Sequence, residues 1–307
     1  MNDGWLEISL EVDGELAEAV AELMSRYIPS GIVIERSSDP GPPQGALRVY
    51  GYLPQDAQAP EARRRIEEGL WHLGRISPLP EPLYRFVPDE DWSQYWRENF
   101  KPLRVGKKLL ILPSWVDLPD TGGRIPVVID PGMAFGTGTH PTTSLCLELL
   151  EDWVRPESPV IDVGCGSGIL AIASVKLGAR YALGVDIDPQ AILEAEKNAS
   201  INRVVERVEF GIGSLAEVQQ GEFSIQQAPV VIANILASTL TQLLAEGLSE
   251  LISEGGVAIL SGILEEQAGE VVTAAGESGL TERLRRQEGD WVTLVFQRPG
   301  SSAAPSG

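Results

Sequence analysis

Residues 160–168, Val160-Ile161-Asp162-Val163-Gly164-Cys165-Gly166-Ser167-Gly168, constrain the fold of this chain more than any other stretch. A short apolar strand over 160–163 runs into three glycines at alternate positions, and a helical stretch follows over 169–178. Glycine accepts the left-handed backbone of a tight strand-to-helix turn, and its missing side chain lets a ligand approach the main chain. Such a turn lies at the carboxyl end of a strand, the edge where open α/β sheets bind their ligands. The flanking pattern agrees. A strand over 182–185 ends on Asp186, and a helix over 189–200 starts with Pro189 in its first turn. Further strands are expected over 208–212, 230–233 and 257–260, with helices over 238–251 and 265–278. Alternating strands and helices predict a parallel, doubly wound sheet. The end departs from this: 281–287 and 291–297 flank Glu288-Gly289-Asp290, which predicts an antiparallel hairpin at the sheet edge.

The first part of the chain is built differently. Leu6, Ile8, Leu10 and Val12 alternate with Glu7, Ser9 and Glu11, the period of a half-buried strand. Leu16, Val20, Leu23, Met24 and Tyr27 then form a helical stripe. Strands follow over 31–35 and 46–53, separated by a Pro- and Gly-rich turn over 39–43. Ala62, Ile66, Leu70 and Leu73 make a second helical stripe before a last strand over 83–87. The order β-α-β-β-α-β predicts a ferredoxin-like α+β domain. It carries no chemical constellation, which points to recognition. At roughly 150 residues per domain, 307 residues accommodate two. The expected division is an α+β recognition domain over 1–88, a linker over 89–124, an α/β domain over 125–298 and a disordered tail over 299–307, rich in Pro, Gly, Ser and Ala. Within the linker, Trp92, Tyr95, Trp96 and Asn99 share one helical face, suited either to docking on a domain or to a partner, and 109–112 reads as a strand.

Charge narrows the partners. With 24 basic and 44 acidic residues the net charge is −20, which disfavours coating nucleic acid or an anionic membrane surface. Cys146 and Cys165 cannot build a disulfide framework. There is no CxxC, and His72 and His140 stand apart, so no metal site is expected. The first residues lack a signal-peptide pattern, and no apolar run reaches the length of a membrane span, so a cytoplasmic location is expected.

The glycine turn departs from the dinucleotide fingerprint G-x-G-x-x-G, because Ile169 stands where its third glycine would be. Its G-x-G-x-G spacing resembles the first motif of class I S-adenosylmethionine-dependent methyltransferases. Asp186, 22 residues after Gly164, is placed to accept hydrogen bonds from both hydroxyls of a ribose. An NAD enzyme would carry the same acid, so an oxidoreductase stays open on these residues. Asp162 and Asp186 also have plain structural readings, as a polar strand end and a turn or helix cap. Cys165 reads as a small residue within the turn rather than a nucleophile. A second segment, Asp130-Pro131-Gly132-Met133-Ala134-Phe135-Gly136-Thr137-Gly138-Thr139-His140-Pro141-Thr142-Thr143, packs glycines, hydroxyls and one aromatic before a helix. Phe135 can cover an adenine ring or methyl donor, and Thr142 or Thr143 can cap the helix or hold a cofactor carboxylate. His140 reads as a loop histidine satisfied by backbone. A third, Ala233-Asn234-Ile235-Leu236-Ala237, follows the fourth strand. Enzymes of this fold that methylate base nitrogens or glutamine amides carry Asn/Asp-Pro-Pro-aromatic there. This chain keeps the Asn and lacks the prolines and the aromatic, which suits a flexible aliphatic amine better than a flipped base.

Together these segments resemble the bacterial ribosomal protein L11 methyltransferases. The resemblance rests on 130–143, on 160–168 with Ile169-Leu170-Ala171-Ile172-Ala173, on Gly184-Val185-Asp186-Ile187-Asp188-Pro189 and on Ala233-Asn234-Ile235-Leu236. The Trp92/Trp96 linker and the α+β domain are similar too, so it covers nearly the whole chain. It implies a doubly wound class I methyltransferase sheet and S-adenosyl-L-methionine as cofactor. It implies cofactor contacts at Thr143, Gly164 with Gly166, Asp186 and Asn234, and a contribution from Phe135. Asn234 is the candidate catalytic residue, orienting the amine. The implied substrate is ribosomal protein L11, free or during ribosome assembly, methylated on lysine side chains and its N-terminal amine and held by the N-terminal domain. Gly213-Ser214 departs from the superfamily, where an acidic residue often meets the adenine amine, so Ser214 receives no role. The alternative is the same fold acting on another protein or a small amine.

Overall fold

A computed structural model of the chain describes residues 4–28, 32–36, 47–55, 59–75, 77–88, 102–116, 118–130 and 140–300. The described residues up to 88 belong to one compact unit and those from 102 onward to a second. The linker helix expected around Trp92 and Trp96, Phe135, and residues 301–307 of the tail lie outside the described residues.

The first unit runs β1 (Trp5–Val12), α1 (Gly14–Ser25), β2 (Ile32–Arg36), β3 (Leu47–Pro54), α2 (Ala59–Gly74), β4 (Leu83–Val87). The sheet order is β2-β3-β1-β4 and every neighbouring pair is antiparallel, the ferredoxin-like arrangement. Asp13 starts α1 by accepting the Leu16 N–H at 3.0 Å. Ile8, Leu10, Val20, Met24, Ile66 and Leu70 are buried between helices and sheet. Glu7 is buried as well, with its carboxylate bonded to Arg48 (2.8 Å) and Arg85 (2.5 Å), one on each neighbouring strand.

The second unit holds two sheets. β5 (Leu103–Val105), β6 (Leu109–Pro113) and β7 (Ile125–Ile129) form a small one. The expected strand over 109–112 is β6; its two partners carry no alternation that distinguishes them in sequence. After α3 (Pro141–Trp153) come β8 (Pro159–Val163), α4 (Ile169–Lys176), β9 (Tyr181–Asp186), α5 (Pro189–Asn202), β10 (Val208–Ile212), α6 (Leu215–Gln220), β11 (Ala228–Asn234), α7 (Ala237–Ala245), β12 (Ile252–Leu264), α8 (Ala268–Glu277), β13 (Thr281–Glu288) and β14 (Trp291–Gln297). The large sheet has the order β10-β9-β8-β11-β12-β14-β13. It is parallel from β10 to β12, and β14 pairs antiparallel with both β12 and β13, as the hairpin predicts. Apolar clusters cover both of its faces, as a parallel sheet requires.

One helical expectation changes, and one helix has no expectation to meet. The stripe over 238–251 is not one helix: α7 stops at Ala245, Gly247 turns with φ +103°, and a 3₁₀ turn, Leu248–Leu251, completes the segment. The six-residue α6 is too short to show a period. Its Glu217 accepts the Ser214 N–H at 2.8 Å, so Ser214 serves as the start of a helix.

The order places one position apart. β8 has β9 on one side and β11 on the other, so the chain's winding reverses there. In open α/β sheets a crevice opens at that reversal, beyond the carboxyl ends of the strands. Gly164 follows β8, Asp186 ends β9 and Asn234 ends β11.

Candidate active site

The glycine turn is held by its own backbone and by β9. Gly164 and Cys165 both donate to the Val185 carbonyl, at 2.8 and 3.0 Å, and Gly168 donates to the Cys165 carbonyl at 2.9 Å. Gly164 has φ +74°, and a Cβ there would stand 2.5 Å from Ile235 Cγ2. Backbone and neighbour together leave room only for glycine. Gly166 donates its N–H to Asp186 Oδ2 at 2.9 Å.

Asp186 is half-buried and joins the turn to the next helix, since Oδ1 accepts the Asp188 N–H at 3.0 Å. The cap of α5 is Asp188, which accepts the Gln190 N–H at 2.9 Å. A carboxylate offers about four lone-pair sites, so Asp186 keeps acceptor capacity toward the crevice. Burial raises its pKa, against the lowering effect of the N–H groups of Asp188 and Gly166.

Asn234 stands at the end of β11, one residue past the Ala233–Val163 pairing and therefore beside Gly164. Its Nδ2 donates to Thr143 Oγ1 at 3.3 Å, although the two residues are 91 positions apart. Its Oδ1 is buried and has no hydrogen-bond partner among the described residues. Thr143 lies in the first turn of α3, buried. Of the two roles open to Thr142 and Thr143, that of helix cap is taken by neither. His140 is the cap, accepting the Thr142 N–H at 3.4 Å on Nδ1, because Pro141 fits the first helical position and pushes the cap one residue earlier. The Thr143 hydroxyl is thereby turned to Asn234. Thr143, Gly164, Gly166, Asp186 and Asn234 thus converge on one edge of the sheet.

Sequence reasoning missed part of the support. Ser261, paired with Asn234 across the sheet, donates to the Thr142 carbonyl at 3.2 Å and bonds Thr293 at 2.6 Å. Two buried hydroxyls within apolar strands were the available signal. Ile187 and Ile212 are exposed large apolar side chains bracketing Asp186, which pairs with Ile212. An apolar residue in the open directly after a strand-end acid is the signal there.

Asp162 lies fully buried under the turn. Oδ2 accepts the Ala171 N–H at 3.2 Å, while Oδ1 has no partner among the described residues. Burial, then the nearby charge of Asp186, push its pKa up to about 7 despite the Ala171 bond. An unfolded aspartate titrates near about 3.9. The folded state therefore holds this proton more tightly, so Asp162 favours folding most below that value and loses this contribution as pH rises to about 7. The expected result is that the urea midpoint of the wild type declines more from pH 5 to pH 8 than that of Asp162→Asn; equal slopes would refute it. Cys146 and Cys165 are both buried with pKa values raised by desolvation, Cys146 to about 12, so neither is a thiolate at neutral pH.

The fit to a nucleoside-bearing sulfonium is physical. A bare backbone turn, an acid with spare lone pairs beside it and a partnerless amide oxygen lie at one carboxyl edge of the sheet, where open α/β sheets bind their ligands. This sheet and this site define a class I S-adenosylmethionine-dependent methyltransferase. The family model described as ribosomal protein L11 methyltransferase (PrmA) matches residues 4–299. The chain belongs to that family. It is 42% identical over 323 residues to the ribosomal protein L11 methyltransferase of Chloroflexus aurantiacus, covering 96% of this chain and 98% of the relative. It is 40% identical over 310 residues to that of Pelotomaculum thermopropionicum, covering 95% and 98%. The crystal structure of ribosomal protein L11 methylase from Lactobacillus delbrueckii subsp. bulgaricus superposes with a TM-score of 0.58 at 33% identity, over 65% of this chain and all of that one.

Proposed function

We propose that this enzyme methylates lysine side chains and the N-terminal amine of ribosomal protein L11, free or during ribosome assembly, in the cytoplasm. The names of its relatives support the substrate, and the partnerless Oδ1 of Asn234 beside Gly164 carries the chemistry. S-adenosylmethionine, when bound, supplies an electrophilic methyl carbon. Asp186 would accept hydrogen bonds from the two ribose hydroxyls, Gly164 and Gly166 would let the cofactor lie against the backbone, and Thr143 and Asn234 would hold its methionine end, with Phe135 assigned as its cover. Ile187 and Ile212 form an apolar edge for the base. The α+β domain, residues 1–88, receives the ribosomal protein, and the unit from residue 102 onward carries the methyl transfer. Direct nucleic-acid binding has no part in this reading, since the chain carries a charge of −20.

The amine must shed a proton before its lone pair can attack. A lysine amine has a reference pKa of about 10.4, and removal from water lowers it. Asn234 cannot take that proton, but its Oδ1 accepts a hydrogen bond from the amine and so aims the lone pair. The proton leaves to water. No side chain of the site then needs to act as a strong base.

The test is incubation of the full-length enzyme with methyl-labelled S-adenosylmethionine and a cytoplasmic extract. One labelled small ribosomal protein is expected. Label confined to other proteins or to small molecules refutes the substrate. Thermal shift separates the cofactor classes: S-adenosylmethionine should raise the melting temperature and NAD should not, because only a ligand of the native state stabilises it.

A further inference from the structure

Helix α5 carries two asparagines on its buried stripe, among Ile192, Ala195 and Ala199. Both use the amide in two directions. Asn202 accepts the Val128 N–H at 2.9 Å and donates to the carbonyls of Val128 (2.5 Å) and Asn198 (2.8 Å). Its bonds stay within β7 and its own helix. Asn198, fully buried, accepts the Asp130 N–H at 2.9 Å and donates to the Ser167 carbonyl at 3.0 Å. It joins the end of β7 to the glycine turn. The Asp130 end of this tie is doubled by an ion pair between its carboxylate and Lys197, at 2.7 Å.

The Ser167 carbonyl belongs to the peptide that carries the Gly168 N–H, the group bonded to Cys165 at the start of α4. Further ties to the turn come from Val185 and Asp186, at the end of β9. Asn198 holds the opposite stretch of the same turn from a different element. An aspartate could not replace it, because an ionised carboxylate accepts only and would face the Ser167 carbonyl.

We infer that Asn198 is a positioning residue for the methyl donor: it fixes the Ser167–Gly168 peptide, so that Gly164 and Gly166 present their backbone in the binding geometry, and couples the turn to the end of β7. This rests on the reading of the turn as the S-adenosylmethionine site.

The test uses the full-length enzyme as wild type, Asn198→Ala and Asn202→Ala, with melting temperature and the Kd for S-adenosylmethionine measured on each. Each substitution leaves buried backbone groups unpaired, so both lower the melting temperature. Only Asn198→Ala is expected to raise Kd, by about tenfold, the effect of an unsatisfied buried group transmitted to the turn. A Kd within about twofold of wild type in Asn198→Ala, or an equal rise in Asn202→Ala, overturns the inference. Amide hydrogen exchange on the wild type gives a second measurement that does not depend on the variant folding. Coupling is reciprocal, so saturating S-adenosylmethionine should slow exchange at Asp130 along with Gly166 and Gly168. Unchanged exchange at Asp130 overturns the inference too. A wild type that does not bind S-adenosylmethionine refutes the site reading itself, a different result from either.

Discussion

Asp186→Ala is expected to weaken S-adenosylmethionine binding by about a hundredfold or more. Two hydrogen bonds to a charged acceptor are lost, each worth about 1.5–3 kcal/mol, and every 1.4 kcal/mol is tenfold in affinity. The Gly166 and Asp188 N–H groups lose their acceptor in the same change. Isothermal calorimetry at neutral pH reads the effect, and an unchanged Kd would remove Asp186 from the ribose. The same carboxyl sets a pH dependence. Burial raises its pKa, and only the ionised form offers all of its lone pairs. Affinity should therefore fall as pH is lowered from neutral through the range where the free enzyme takes up that proton, and binding should release protons there.

Asn234→Ala should act on the other half of the problem. Its expected effect is a fall in kcat of about a hundredfold with only a several-fold rise in cofactor Kd, because aiming the amine acts on the chemical step more than on binding. The two variants thus separate: Asp186 reports on holding the donor, Asn234 on presenting the acceptor. A kcat near wild type in Asn234→Ala, measured with saturating cofactor and protein substrate, would place the orienting group elsewhere. The loss of the Asn234–Thr143 bond is too weak to confuse this, since at 3.3 Å it is a long contact between neutral groups.

The parts of the site that sequence made legible are those controlled by neighbouring residues. Gly164, Gly166 and Asp186 sit at strand ends, where backbone conformation and alternation dictate what can stand there, and the structure puts them at the reversal of the sheet. Asn234 was legible by its place after the fourth strand and by what its neighbours are not. What remained hidden depends on contacts between distant segments. Thr143 meets Asn234 only because α3 precedes the sheet and starts above its carboxyl edge, and no local pattern encodes that meeting. Asn198 looks in sequence like any polar residue in a helix; only its position on the buried stripe sets it apart. Local sequence leaves the cap of α3 open, because hydroxyls at 142 and 143 compete with a histidine that Pro141 favours. The helix expected over 238–251 failed at Gly247, where a left-handed residue outweighs the apolar period.

β14 lies inside the sheet, between β12 and β13, although it is the last of the seven strands in the chain. Val292, Leu294, Val295 and Phe296 on it are all buried. A nascent polypeptide can therefore assemble β8 to β12 and still expose the open side of β12, a row of unpaired backbone groups of the kind that recruits foreign strands. The sheet closes only when residue 297 has cleared the exit tunnel. A chain stopped within β14 would carry an intact cofactor motif beside an unpaired strand edge prone to aggregate, so synthesis must pass beyond β14 before this enzyme can fold to modify a protein of the machinery that makes it.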